Sequence, residues 1–253
     1  MSAAELAHDE EGSGDALVLI HAGACDRRMW EPQWAALTER FRTIRCDLRG
    51  FGDSPLPVGR FNNADDVLRL LDALAMERAS VVGSSFGGRV ALELAATWPD
   101  RVTRLILLSS PWEGVDRDPE LESFGEEEDR LLSDGEIDGA VDLNVRTWLG
   151  PEAPEASRAL VREMQRRAFE VQLAAGEDAV DEDRNVNPGA IKAPAVLFSG
   201  DLDFLHFRQV ATTLADRIPQ AKHVELEWAG HLPSLERPDL VEGLLLNHLT
   251  PST

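Results

Sequence analysis

The chain has 253 residues, and 46 Asp and Glu against 25 Lys and Arg give it a formal net charge of −21. That length accommodates one large α/β domain, or two small ones, around a substantial core. A surface this acidic repels phosphate backbones and anionic bilayers, which argues against nucleic-acid and membrane partners, and no apolar run approaches the roughly 20 residues a membrane span needs. The N-terminal stretch MSAAELAHDEEGSGD has neither a basic start nor an apolar signal core, so no export is expected. Cys25 and Cys46 fit a reducing cytoplasm without a disulfide framework and are too few for a zinc site.

ALVLIHAG (16–23) reads as a buried strand and EPQWAAL (31–37) as the start of a helix. FRTIRCDLRGFGDS (41–54) is a second strand running into a Gly/Asp turn. Val67, Leu70, Leu71 and Leu74 recur at helical spacing, with Asn63 or an adjacent polar residue as cap. ASVVGS (79–84) is a third strand, 87–99 a helix stopped by Pro99, and VTRLILLSS (102–110) a fourth strand. The alternation resumes with strand 193–200, helix 207–217, strand 223–228 and helix 235–248. It predicts an α/β fold with a mostly parallel, twisted, doubly wound sheet. Because only about 15 residues precede the 16–23 strand, a further strand ahead of it is not expected.

Residues 112–190 differ in kind. Acidic residues there outnumber basic ones by more than two to one. Helical stripes persist nonetheless: Ile137, Val141, Val145 and Trp148 on one, Leu160, Met164, Ala168 and Val171 on another. The segment therefore reads as a helical cap over the C-terminal edge of the sheet, splitting a core of residues 1–111 and 191–253.

VVGSSFGGRV (81–90) matches G-x-S-x-G in one register, with Ser85 central and Gly83 and Gly87 flanking. A nucleophile on a sharp strand-to-helix turn forces close approach by the residues two before and two after it, so both must be small. The helix that follows aims its N–H groups and positive dipole end at developing negative charge. Ser84 is assigned to packing or hydrogen-bonding beside the turn. Together with LVLIHAGACDRRMW, IRCDLRGFGDSP and VLFSGDLDFLHFRQVATTLADRIP…VELEWAGHLPSLERPDLV in order, this turn resembles the α/β-hydrolase superfamily over roughly residues 15–250, nearest to small bacterial esterases and enol-lactonase-like members.

The resemblance implies the chain order nucleophile, acid, histidine. It selects Ser85 as nucleophile, Asp203 of SGDLD as acid and His231 of AGHLPSLERP as base, with Asp201 and His206 as the rivals to the latter two. It assigns the oxyanion donors to the backbone N–H groups of Phe86 and Gly23. Here the family's His-Gly-x motif reads His21-Ala22-Gly23, so a methyl group stands where a glycine is usual. Met29, Trp112, Trp148, Phe204 and Leu232 are expected to bind substrate, with Trp30, Phe86, Phe124, Met164 and Phe169 as further walls. Arg27, Arg28, Arg146 and Arg208 are candidates for holding one carboxylate. The implied activity is cleavage of a carboxylic ester or lactone of a small, largely apolar molecule by a monomer or homodimer, with no cofactor and no metal. Perhydrolase or haloperoxidase-like chemistry, C–C bond hydrolysis and a non-catalytic ligand-binding role stay open on the same residues.

Overall fold

A computed structural model describes residues 6–175 and 179–250. In chain order, β1 (His8–Glu11) and β2 (Ala16–Ile20) lead through a short 3-10 turn into α1 (Glu31–Thr38) and β3 (Arg42–Cys46). β4 (Gly59–Phe61), α2 (Asn63–Ala73), β5 (Ala79–Ser84), α3 (Phe86–Thr97) and β6 (Val102–Leu108) follow. Then come α4 (Pro119–Ser133), α5 (Ile137–Trp148), α6 (Glu155–Ala175) and β7 (Ala179–Asp181). The chain closes with β8 (Ala195–Gly200), α7 (Leu205–Arg217), β9 (Ala221–Leu226), α8 (Pro233–Glu236) and α9 (Pro238–Leu249).

Seven strands form one sheet in the order β1-β3-β2-β5-β6-β8-β9, parallel except for β1. Side chains alternate across it. Val18, Ile20, Val81, Leu105 and Leu197 face a cluster with α2, α3 and α7. Leu17, Leu19, Val82, Ile106 and Phe198 face a second cluster with α1, α9 and helices α4 to α6. Because helices cover both faces, the central strands carry nearly continuous apolar runs. Strand order reverses between β2 and β5. Loops after these two strands therefore diverge and leave a crevice at their C-terminal ends, the usual place for a ligand in an open α/β sheet.

The sheet does have a strand ahead of residue 16, contrary to expectation. β1 pairs antiparallel with β3 from His8↔Cys46 to Glu11↔Thr43. Its four residues are all polar, so hydrophobic pattern cannot reveal it. Ion pairs from Asp9 to Arg45 (2.9 Å) and Glu10 to Arg42 (2.5 Å) hold it, and its charges suit an edge strand. The cap of α2 is Asn62, whose side chain accepts the Asp65 N–H at 2.8 Å.

Helix α6 buries Val161, Met164 and Ala168 and runs over loops at the C-terminal ends of the strands. Arg167 donates to Gly52 O, Gln172 to Gly50 O, and Ser157 to Leu235 O. After it, β7 pairs in parallel with β4 in a second, two-stranded sheet. No helix among the described residues is long and apolar enough to cross a membrane.

Candidate active site

Ser85 stands between β5 and α3 with φ 48° and ψ −117°, a conformation that L side chains rarely adopt. The glycines around it are required by contact. A Cβ at Gly83 would lie 2.4 Å from Gly87 O, and one at Gly87 would lie 2.4 Å from His21 O. Ser84, one residue earlier, is fully buried, and its hydroxyl has no hydrogen-bond partner among the described residues.

Ser85 Oγ lies 2.7 Å from Nε2 of His231, and Nδ1 of His231 lies 2.7 Å from Oδ2 of Asp203. The His231 and Asp203 side chains are 3% and 1% exposed. An ionised carboxylate only accepts, so Nδ1 carries the imidazole proton and Nε2 is left to accept the serine hydroxyl proton. The other Asp203 oxygen, Oδ1, accepts the Phe204 N–H at 2.8 Å, which fixes the carboxylate's plane. Rings of Phe207 and Trp148 press on the imidazole, with centroids 4.2 and 4.4 Å from it.

The loop after β2, which carries Ala22 and Gly23, is fixed by His21. His21 accepts the Leu48 N–H on Nε2 at 2.9 Å, so its Nδ1 is protonated and donates to Ala22 O at 2.8 Å. Burial lowers the pKa of His21 and keeps it neutral there. Ala22 turns its N–H down onto Met29 Sδ at 3.2 Å. Gly23 faces the serine turn, where a Cβ on it would meet Phe86 Cβ at 3.5 Å. Neither the Gly23 N–H nor the Phe86 N–H has a partner among the described residues. The alanine at position 22 is thus accommodated with the N–H of position 23 still free.

A model of the alpha/beta hydrolase fold matches residues 15–238. The chain belongs to that family. Among α/β-hydrolases of known structure, the enol-lactonase of Burkholderia xenovorans LB400 superposes with a TM-score of 0.80 at 27% identity, covering 97% of this chain and 96% of that one. A RutD protein of Caulobacter segnis, named for carbamate hydrolysis, is 30% identical, with 92% of this chain and 91% of the relative covered. Carboxylesterase YbfK of Bacillus subtilis is 24% identical over 92% of this chain and 79% of its own. Hydrolysis is common to these named relatives, and the bond cleaved differs among them.

In this α/β-hydrolase a cavity of about 760 Å³ opens from Ser85 between α3 and α4, with Phe86, Trp112, Phe124, Trp148 and Phe207 on its walls. Of the five residues expected to bind substrate, Trp112 and Trp148 line it. Met29, Phe204 and Leu232 do not. Met29 is fully buried with its sulfur engaged by Ala22, and Leu232 is fully buried in the second core cluster. Phe204 stands behind the wall, its ring edge-on to Trp148 at 5.6 Å. Trp30, Met164 and Phe169 are likewise core.

The rivals are engaged with other groups, although His206 does line the cavity. Asp201 is at the surface in an ion pair with Arg208. His206 holds its Nδ1 on Asp116 O at 2.9 Å, while its backbone N–H donates to Asp118. Of the four candidate arginines none lines the cavity, and Arg27, Arg28 and Arg208 are paired with carboxylates of the protein.

Sequence reasoning missed Glu236. It is 5% exposed, and its carboxylate accepts the N–H groups of Gly230 (2.8 Å) and Leu232 (3.1 Å), on either side of His231. It also accepts the N–H of Gly150, just beyond α5, where a Cβ would lie 2.2 Å from Oε2. Burial pushes its pKa up against these bonds. One carboxylate thus ties the His231 loop to the junction that carries Trp148. No spacing signal marks it in the sequence, where Ser234 and Arg237 beside it make it look like a surface acid. Glu236→Ala leaves three buried N–H groups without an acceptor and is expected to cost about 3 kcal/mol or more. A lowered urea midpoint would register it, with Glu236→Gln, which keeps one carbonyl oxygen, falling between the two.

Proposed function

We propose that the protein is a serine hydrolase that cleaves a carboxylic ester or lactone of a small, largely apolar molecule through an acyl-enzyme. The observation that carries this is the pair of 2.7 Å contacts linking Ser85, His231 and Asp203. Ser85 Oγ attacks the carbonyl carbon as Nε2 of His231 takes the hydroxyl proton, and Asp203 stabilises the imidazolium that forms. The oxyanion sits against the N–H groups of Gly23 and Phe86 at the N-terminus of α3. His231 returns the proton to the departing oxygen, leaving an acyl group on Ser85. It then deprotonates a water that attacks the acyl carbon, and the acid leaves as Ser85 is regenerated. Residues 112–190 act as a cap on the core of 1–111 and 191–253, and Trp112 and Trp148 shape the acyl or alcohol subsite.

Phenylmethylsulfonyl fluoride is the direct test. It is expected to stop turnover of p-nitrophenyl acetate and to leave a single adduct on Ser85, located by peptide mass spectrometry. An adduct at any other residue would overturn the assignment. A panel of p-nitrophenyl esters, lactones and carbamates then ranks the bond cleaved, and the reading predicts that esters or lactones lead.

A further inference from the structure

Helix α4 turns Leu121, Phe124, Gly125 and Glu128 toward the cavity, a spacing that sets them on one helical face. Glu128 is the anomaly on that face. The orientation of its one polar partner is forced. The Trp148 indole N–H can only donate and does so to Asn144 Oδ1 at 2.7 Å, so Asn144 presents its Nδ2 to Glu128 Oε1 at 2.5 Å and to Ala140 O at 2.9 Å. Glu128 is therefore held as an acceptor. No cation among the described residues pairs with it; burial pushes its pKa up, and the like charge of Asp129 adds to that.

Of the other carboxylates on the walls, Glu93 and Asp183 are paired with Arg184 and Arg89, while Glu113 and Asp116, which have no cation partner among the described residues, are exposed where Glu128 is half-buried. Arg89 is matched by Asp181 and Asp183, and Arg184 by Asp65 and Glu93. Arg117 has no anionic partner among the described residues, but it is exposed, on a loop that also carries Glu113, Asp116 and Asp118. A chain with a net charge of −21 disfavours an anion arriving there. A half-buried carboxylate without a counter-charge is costly, and a cation entering beside it offsets that cost. The rings of Phe124, Trp148 and Phe207 line the same space, and their faces attract cations.

We propose that Glu128 and the aromatic wall beside it form a subsite for a cationic nitrogen, so that the molecule cleaved carries an ammonium group on its non-reacting end. Cleavage of that molecule rests on the serine-hydrolase reading; the cation subsite does not. Choline and 3,3-dimethylbutan-1-ol differ only in replacing nitrogen by carbon, and hexanoate supplies the opposite charge. Calorimetric titration of the full chain is expected to give one saturable choline site, at least about tenfold tighter than 3,3-dimethylbutan-1-ol, with hexanoate weakest. Glu128→Gln, which keeps an acceptor for Asn144, should bring choline and the alcohol to parity. Equal affinities in the unaltered protein, or choline binding undiminished in Glu128→Gln, would overturn the proposal, and a preference for hexanoate would move the charge-reading role to Arg117. Binding is read without turnover. Hydrolysis of p-nitrophenyl acetate by the same preparation therefore tests the serine-hydrolase reading separately.

Discussion

Ser85→Ala is expected to lower kcat for p-nitrophenyl acetate by about 10⁵-fold or more, to the level left by binding and oxyanion contacts alone. KM should change little, because the lost group acts on the reacting carbon and not on the rest of the molecule. The neighbouring serine makes the result decisive. Ser84 is fully buried and its hydroxyl has no partner, so Ser84→Ala removes a polar atom from an apolar setting. It is expected to leave most of the turnover and to change stability by less than about 1 kcal/mol. Equal losses in the two variants would put the nucleophile in the wrong register. Ser85→Gly adds a second readout. The backbone at φ 48° and ψ −117° is strained for any residue with a Cβ, and glycine relieves it. That variant should be inactive and yet about 1 kcal/mol more stable than the parent, seen as a raised urea midpoint. Ser85→Ala keeps the strain and should not show this gain.

Much of this arrangement is legible in residue order because the physics is local. A strand buried on both faces must be apolar, as Val81 and Val82 are, and an amphipathic helix must repeat its stripe, as Val67, Leu70 and Leu71 do. A turn in which backbone meets backbone excludes side chains, which is why Gly83 and Gly87 are readable. What escaped depends on partners distant in the chain. β1 is four polar residues that become a strand only because β3 offers an open edge. β4 and β7 are three residues each, separated by more than a hundred positions, and have only one another to pair with. Met29 and Leu232 flank site motifs and are apolar, but whether such a side chain points into a cavity or under it is set by the fold above them. Glu236 and Glu128 look like surface acids in the sequence. Their environments come from the loops around 150 and 230 and from Asn144 on the next helix, and neither is encoded by spacing.

Asp203→Asn is the second large effect expected, a fall in kcat of about 10⁴-fold with little change in KM. Both oxygens of Asp203 are used as acceptors, Oδ1 by the Phe204 N–H at 2.8 Å and Oδ2 by His231 Nδ1 at 2.7 Å. Asparagine offers only one oxygen. If it stays with the Phe204 N–H, the amide NH₂ faces Nδ1 and donates to it. The imidazole then carries its proton on Nε2, the atom that must accept from Ser85, and the base is present in the wrong tautomer. If the amide turns over instead, Nδ1 keeps its partner but the NH₂ meets the Phe204 N–H, and two donors are forced together in a site 1% exposed. Neither orientation also supplies the negative charge that stabilises imidazolium in the transition state. Asp201→Asn is the matched control, two residues away and paired with Arg208 at the surface. It should hold kcat within about twofold, since an exposed ion pair contributes under about 1 kcal/mol. Were Asp201→Asn the damaging change and Asp203→Asn the mild one, the carboxylate steering His231 would be the wrong one, and the loop after β8 would have to rearrange in solution.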